Sequence, residues 1–140
     1  MKENKNNNKN NSRKCMVIFN HALTEEQRRD LKESWGVSTI SSTPQEVKNL
    51  WGNIPPEADT EEVKEISSKI VEEISKILSP GDCAVVQGEP TVWYYTIQGL
   101  KELGIKPLVA TTKREAIEIK EGEKIIKKAV FKHIRFREIK

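Results

Sequence analysis

The chain has 140 residues, of which 36% are hydrophobic and 32% charged, a length that suits one domain with a sufficient core. No apolar run approaches the roughly 20 residues of a membrane-spanning helix. The formal net charge of +3 hides an uneven spread, with five Lys/Arg against one Glu over 1–14, nine against fifteen Asp/Glu over 15–112, and ten against five over 113–140. An acidic body would repel a long duplex, so the basic C-terminal quarter suits a compact anionic ligand better than duplex nucleic acid.

Residues 1–14, MKENKNNNKNNSRK, read as a disordered Asn/Lys-rich leader without the apolar centre of a signal peptide, so a cytoplasmic protein is expected. Residues 15–140 then form one α/β domain. Cys15 to Phe19 is a short apolar strand ending in the polar elbow Asn20-His21. Thr24 and Gln27 match a capping box, which opens a helix that runs to Gly36. Val37 to Ile40 reads as a second strand that ends at Ser41-Ser42-Thr43, and a short helical turn follows over Gln45 to Trp51.

From Asp59 the positions Val63, Ile66, Ile70, Val71, Ile74, Ile77 and Leu78 recur at helical spacing, and Pro80-Gly81 ends that helix. Asp82 to Val86 is a third strand. After Gln87-Gly88-Glu89 comes Pro90, at a first-turn position, opening a helix to Leu103. Leu108 to Thr111 is a fourth strand, expected to break at Thr112-Lys113-Arg114. Glu115 to Lys120 and Lys124 to Glu138 flank Glu121-Gly122-Glu123 as a hairpin, with Phe131, His133, Arg135 and Arg137 on one face by the period of two. Cys15 and Cys83 read as small buried hydrophobes, with neither a disulfide framework nor a CxxC site.

Strands separated by helices imply parallel pairing, hence a Rossmann-like sheet flanked by helices with an antiparallel C-terminal hairpin. In such sheets the ligand lies beyond the carboxyl ends of the strands, a rule that gathers Asn20-His21, Ser41-Ser42, Gln87-Gly88-Glu89 and Thr111-Thr112. Gly88 would let backbone approach a ligand, Gln87 can read a base edge or ribose, and the next helix offers free amides to phosphate. Glu89 repels phosphate and fits a helix cap or a ribose hydroxyl better. No GxGxxG follows the first strand and no P-loop occurs, which argues against ordinary NAD or ATP chemistry.

The stretches FNHALTEEQ at 19–27, VVQGEPTVWYYTIQGLKELGI at 85–105, VATTKR at 109–114 and KAVFKHIRFREI at 128–139 resemble a known group. They are similar to the small stand-alone CRISPR-associated proteins whose folds are related to the CRISPR-associated Rossmann fold, the CARF-like ring nucleases of type III CRISPR systems. The resemblance implies a homodimer that binds a cyclic oligoadenylate messenger, cyclic tetra-adenylate above others, and destroys it. No cofactor is implied. Metal-independent cleavage needs an in-line 2′-hydroxyl, help with its proton and cations on the phosphoryl oxygens. His21 suits the proton transfer, Lys113 and Arg114 the phosphate, and His133 with Arg135 can close the site from the hairpin. Plain alternatives stand beside these roles: a helix cap for His21, a solvated turn for Lys113-Arg114, and an exposed sheet face for His133 and Arg135. No Asp/Glu/His cluster has metal-ligand spacing. Two other functions stand beside this one, a module that sequesters the messenger through the same elbows without cutting it and a DNA-binding accessory protein working through the basic hairpin and tail.

Overall fold

The computed structural model describes residues 12–19 and 22–140. The expected leader therefore falls largely outside the described residues, and its last two positions do not belong to it. Arg13 and Lys14 open the first strand, β1 (Arg13–Ile18), where the Lys14 amide donates to Asp82 Oδ1 at 3.0 Å.

Helix α1 (Glu25–Trp35) starts as the sequence predicts. Gln27 N donates to Thr24 Oγ1 at 3.2 Å, Thr24 N donates to Gln27 Oε1 at 3.0 Å, and Gly36 ends the helix at a φ of 66° that glycine adopts without strain. β2 (Val37–Ser41) returns along the sheet, and α2 (Gln45–Trp51) follows Pro44. Asp59 and Glu62 form a second capping box, one the apolar spacing did not signal, at the head of α3 (Thr60–Ser75). β3 (Cys83–Val86) is buried along its whole length, and α4 (Pro90–Glu102) follows.

β4 (Lys106–Glu121) and β5 (Lys124–Glu138) complete the chain. The expected break at Thr112-Lys113-Arg114 does not occur, and β4 runs through it. No Gly or Pro stands between Leu108 and Glu121, and two threonines with long Lys and Arg side chains suit an extended pleat. Gly122, at a φ of 60°, and Glu123 make the two-residue turn.

The sheet order is β2-β1-β3-β4-β5, parallel between β2 and β4 and antiparallel between β4 and β5. Alternation along the strands gives the sheet two apolar faces. Cys15, Cys83, Val85, Leu108 and Phe136 pack under α1 with Leu31 and Val37. Met16, Ile18, Ala84 and Val86 pack against α2, α3 and α4 through Val47, Trp51, Ile70, Ile74, Val92 and Leu100. Helices on both faces turn the chain in opposite senses from the centre, so the crossovers diverge between β1 and β3.

β3 pairs with β4 only over Lys106 to Leu108, whereas β4 and β5 stay paired out to Glu121 and Lys124. Beyond Leu108 the sheet thins to a two-stranded ribbon that runs past the body of the domain.

Candidate functional site

The carboxyl ends of β1, β2 and β3 open onto a crevice with three connected depressions. The largest, about 1040 Å³, lies between the start of α1 and the base of the ribbon, and Gln87, Thr112, Lys132 and His133 line it. A second, of about 560 Å³, sits on the β2 side, where Arg28 and Lys48 flank Ser41, Ser42 and Thr43. The third, of about 330 Å³, lies beside Gly88 and Trp93. Phe19 and Ala22 line the first two, and Gln87 and Ala110 the first and third. A separate groove of about 500 Å³ between α3 and α4 holds none of the predicted site residues.

The elbow after β3 is built by two indoles. Trp93 Nε1 donates to the Val86 carbonyl at 3.0 Å and Trp51 Nε1 to the Gln87 carbonyl at 2.9 Å, while Gln87 N donates to the Ile18 carbonyl at 3.1 Å. Gly88 is needed for a reason the sequence does not suggest. A Cβ there would stand 2.7 Å from Trp51 Nε1 and Cζ2, so the Trp51 ring fills the space a side chain would take. Glu89 is the cap of α4, its Oε1 accepting from Val92 N at 2.8 Å. That carboxylate occupies the helix end expected to receive phosphate.

At the base of the ribbon the register shifts. Thr111 pairs with Arg135, but the next residue, Thr112, pairs with His133, which leaves Ile134 as an extra residue on β5. The Thr111 hydroxyl is spent on this bulge, donating to the Arg135 carbonyl at 2.9 Å. Adjacent residues of β4 alternate faces, so His133 and Arg135 do not share the face that an unbroken period of two predicts. His133 turns under α1, with its ring 4.7 Å from that of Phe136, and Arg135 points away, exposed. The His133 side chain is 7% exposed, and its Nε2 stands 2.7 Å from Asp30 Oδ2 of α1. Its Nδ1 is shut from solvent and has no hydrogen-bond partner.

The crevice thus collects Ser41, Ser42, Gln87, Gly88, Thr112 and His133 from the predicted set. Lys113 and Arg114 are exposed on the ribbon, outside the three depressions. Asn20 and His21 lie outside the described residues, between Phe19 and Ala22, which both line the crevice. Sequence reading missed Asp30, Arg28, Lys48 and Lys132. Asp30 directly precedes the inward-facing Leu31, a position that a helical period places near the covered face of α1.

The lining is divided in charge. Glu25, Glu26 and Glu115 border the largest depression with Lys132, whereas the second carries Arg28 and Lys48 without a carboxylate. An anionic group belongs electrostatically near the second; hydrogen-bond donors suit the first, where carboxylates and the Gln87 side chain can accept. Among the described residues no three His, Cys, Asp or Glu side chains gather as a metal-ligand set, and no helix is long and apolar enough to cross a membrane.

Residues 13–137 match the profile of a family described as the Uncharacterized protein MJ1673 family. The chain is 33% identical over 124 residues to Uncharacterized protein MJ1673 of Methanocaldococcus jannaschii, an alignment covering 89% of this chain and 95% of that protein. No solved structure matches the chain.

Proposed function

The chain belongs to the Uncharacterized protein MJ1673 family, and we propose that it is a CARF-like, cytoplasmic ring nuclease of type III CRISPR defence. It binds a cyclic oligoadenylate, cyclic tetra-adenylate above others, and opens it by metal-independent attack of a ribose 2′-hydroxyl. The observation that carries this reading is the crevice at the carboxyl ends of parallel strands, where the crossovers diverge, with cations on one side and hydrogen-bond acceptors on the other. The quoted resemblance of residues 19–27, 85–105, 109–114 and 128–139 supports the choice of ligand. The Rossmann-like descent of the sheet is part of the same reading.

In this mechanism Gln87 and Thr112 hold base and ribose, and Ser41 and Ser42 with Arg28 and Lys48 hold phosphate. His21 transfers a proton at the scissile phosphodiester. Products carry a 2′,3′-cyclic phosphate and a 5′-hydroxyl.

The working unit is a two-fold dimer. Odd-numbered residues of β4 and even-numbered residues of β5 share one ribbon face, with Ile117, Ile119, Ile126 and Val130 exposed at its centre. On that face β4 contributes Lys113, Glu115 and Glu121, and β5 contributes Lys124, Lys128 and Lys132. A two-fold axis along the strands lays β4 of one copy over β5 of the other, with Glu121 over Lys124, Glu115 between Lys128 and Lys132, and Lys113 over Lys132 at the end nearer the body. Glu115, Val130 and Lys132 also border the crevice, so a partner seated there would add a further wall to it.

The test is chromatography of cyclic tri-, tetra- and hexa-adenylate after incubation with the protein and EDTA. Multiple turnovers of the tetramer ring to cyclic-phosphate products are expected, with His21→Ala about 10²- to 10⁴-fold slower in a single turnover at saturating ligand. Tight binding without product would identify a sequestering protein instead. Absence of binding to all three rings would overturn the reading.

A further inference from the structure

Phe131 is 66% exposed and lines the largest depression together with Gln87 and Thr112. A single exposed apolar residue is ordinary on a protein surface, so the setting of the ring decides what it means. Three successive pairs share its face of the ribbon: Thr112 with His133 next to the body, Arg114 with Phe131, and Ala116 with Ala129 farther out. On the outer side the two alanine methyls are too short to cover a ring. On the inner side His133 is engaged elsewhere, packed against Phe136 and held by Asp30. Among the described residues no aromatic ring and no cation is placed against Phe131, and Arg114 forms no ion pair. The ring is thus uncovered where it borders the depression, with an exposed, unpaired guanidinium opposite it in register. The proposed dimer contact is the other side of the ribbon, so a partner seated there leaves Phe131 uncovered as well.

We infer that Phe131 is a stacking platform for a purine base in the crevice, with Arg114 as the cation beside it. The inference rests on the ring-nuclease reading and adds the residue that holds an adenine by its face, where Gln87 and Thr112 hold base and ribose by their polar edges. A flat base covers the ring that no side chain covers, and both apolar surfaces leave water. Every adenosine of a cyclic oligoadenylate is flanked by phosphates, so a base stacked on Phe131 brings negative charge toward a guanidinium that has no other partner. An apolar protein surface is the poorer occupant, because it would bury Arg114 without a counter-charge.

The experiment measures affinity for cyclic tetra-adenylate and, separately, the single-turnover rate at saturating ligand, in the full chain and in Phe131→Ala, Phe131→Leu, Phe131→Trp and Arg114→Gln. Stacking predicts binding about 5- to 150-fold weaker for Phe131→Ala. A loss of the same order is expected for Phe131→Leu, which keeps an apolar side chain but no flat ring. Phe131→Trp should bind at least as tightly as wild type. Arg114→Gln should weaken binding by up to about 5-fold, and less at high salt. Rates at saturation stay near wild type in all four, because the platform holds ligand and transfers no proton. Melting temperatures stay unchanged too, since both side chains are exposed.

Wild-type affinity in Phe131→Ala, or in Phe131→Leu alone, overturns the platform and leaves the ring-nuclease reading standing. Loss of a dimer in Phe131→Ala also overturns it, by assigning the ring to a subunit contact. An unchanged affinity in Arg114→Gln removes that cation from the site. Wild-type protein that binds none of cyclic tri-, tetra- and hexa-adenylate overturns both the platform and the reading beneath it. Binding without cutting overturns the nuclease reading alone, and the affinities still decide the platform. Should the Phe131 variants fail to fold, the wild-type spectrum decides among its three phenylalanines, assigned through the backbone. Stacking of a 2′-fluoro ring, which lacks the attacking hydroxyl, must move the Phe131 ring protons upfield, and unmoved signals at saturation overturn the inference.

Discussion

Two residues show how local chemistry sets what the crevice can do. The Cys15 thiol is pushed well above its usual range, first by a hydrogen bond with Cys83, its partner in register across β1 and β3, and then by burial. The raised value keeps the thiol neutral in the folded protein, so it supplies no nucleophile. Its contribution to stability is whole below the unfolded thiol's pKa of about 8.5 and is lost as pH rises above it. Native protein at pH 8 should therefore leave a thiol-reactive dye uncoloured, and both cysteines should react once denaturant is added. Fast labelling of the folded protein would contradict this. Gly88 yields the second prediction. Gly88→Ala drives a methyl into Trp51, whose ring is 5% exposed and hydrogen-bonded to the Gln87 carbonyl, so it has little room to yield. Overpacking of this kind costs roughly 1–3 kcal/mol. A lower urea midpoint together with weaker ring binding is expected; unchanged values for both would show that the elbow adjusts freely.

The element with the most unusual surface is the β4–β5 ribbon. Two strands alone are marginal in water, yet this ribbon exposes Ile125 (62%) and Phe131 (66%) on one face and the Ile117, Ile119, Ile126 and Val130 cluster on the other. If the latter face is the dimer contact, Ile126→Glu places a carboxylate directly opposite Ile119 and should turn a dimer into a monomer in sedimentation velocity. The melting temperature of the domain itself should change little, because Ile126 is 42% exposed. A wild-type protein that is monomeric with ligand present, or a variant that stays dimeric, would remove this face from the interface. The ribbon also marks a limit of reading local sequence. The hairpin and its turn are legible from Gly122 between two β-rich arms, but the bulge that separates His133 from Arg135 has no Gly or Pro to announce it. It follows from pairing with β4, a partner some twenty residues away.

At the scale of the whole molecule, Glu115, Val130 and Lys132 of the ribbon border the crevice, so the proposed two-fold partner seated on that face would add a further wall to it. A ring with equivalent halves then sits across the axis, so calorimetry should count one cyclic tetra-adenylate for every two chains. One ring per chain would show that each crevice works alone. The division of charge within the crevice carries a related consequence. If Arg28 and Lys48 gather phosphate on the β2 side as proposed, raising salt should weaken ring binding there through screening.

What the sequence determined by itself is the set of local structures: the α/β alternation, the Thr24–Gln27 capping box, Glu89 as a cap, Pro90 at the start of a helix, and the hairpin turn. Each depends on residues a few positions apart, where side-chain chemistry and backbone preference act directly. The strand-end rule also located Ser41, Ser42 and Gln87 at the crevice, because parallel pairing aligns the carboxyl ends of strands whatever the loops contain, whereas Thr112 lines it from within a strand that runs on. Tertiary structure alone decided the rest. The continuity of β4 depends on a partner strand, the role of Gly88 on an indole 37 residues earlier, and the setting of His133 on Asp30 from another element. Such contacts are made by packing between distant segments, and neither period nor spacing along one chain encodes which side chains will meet.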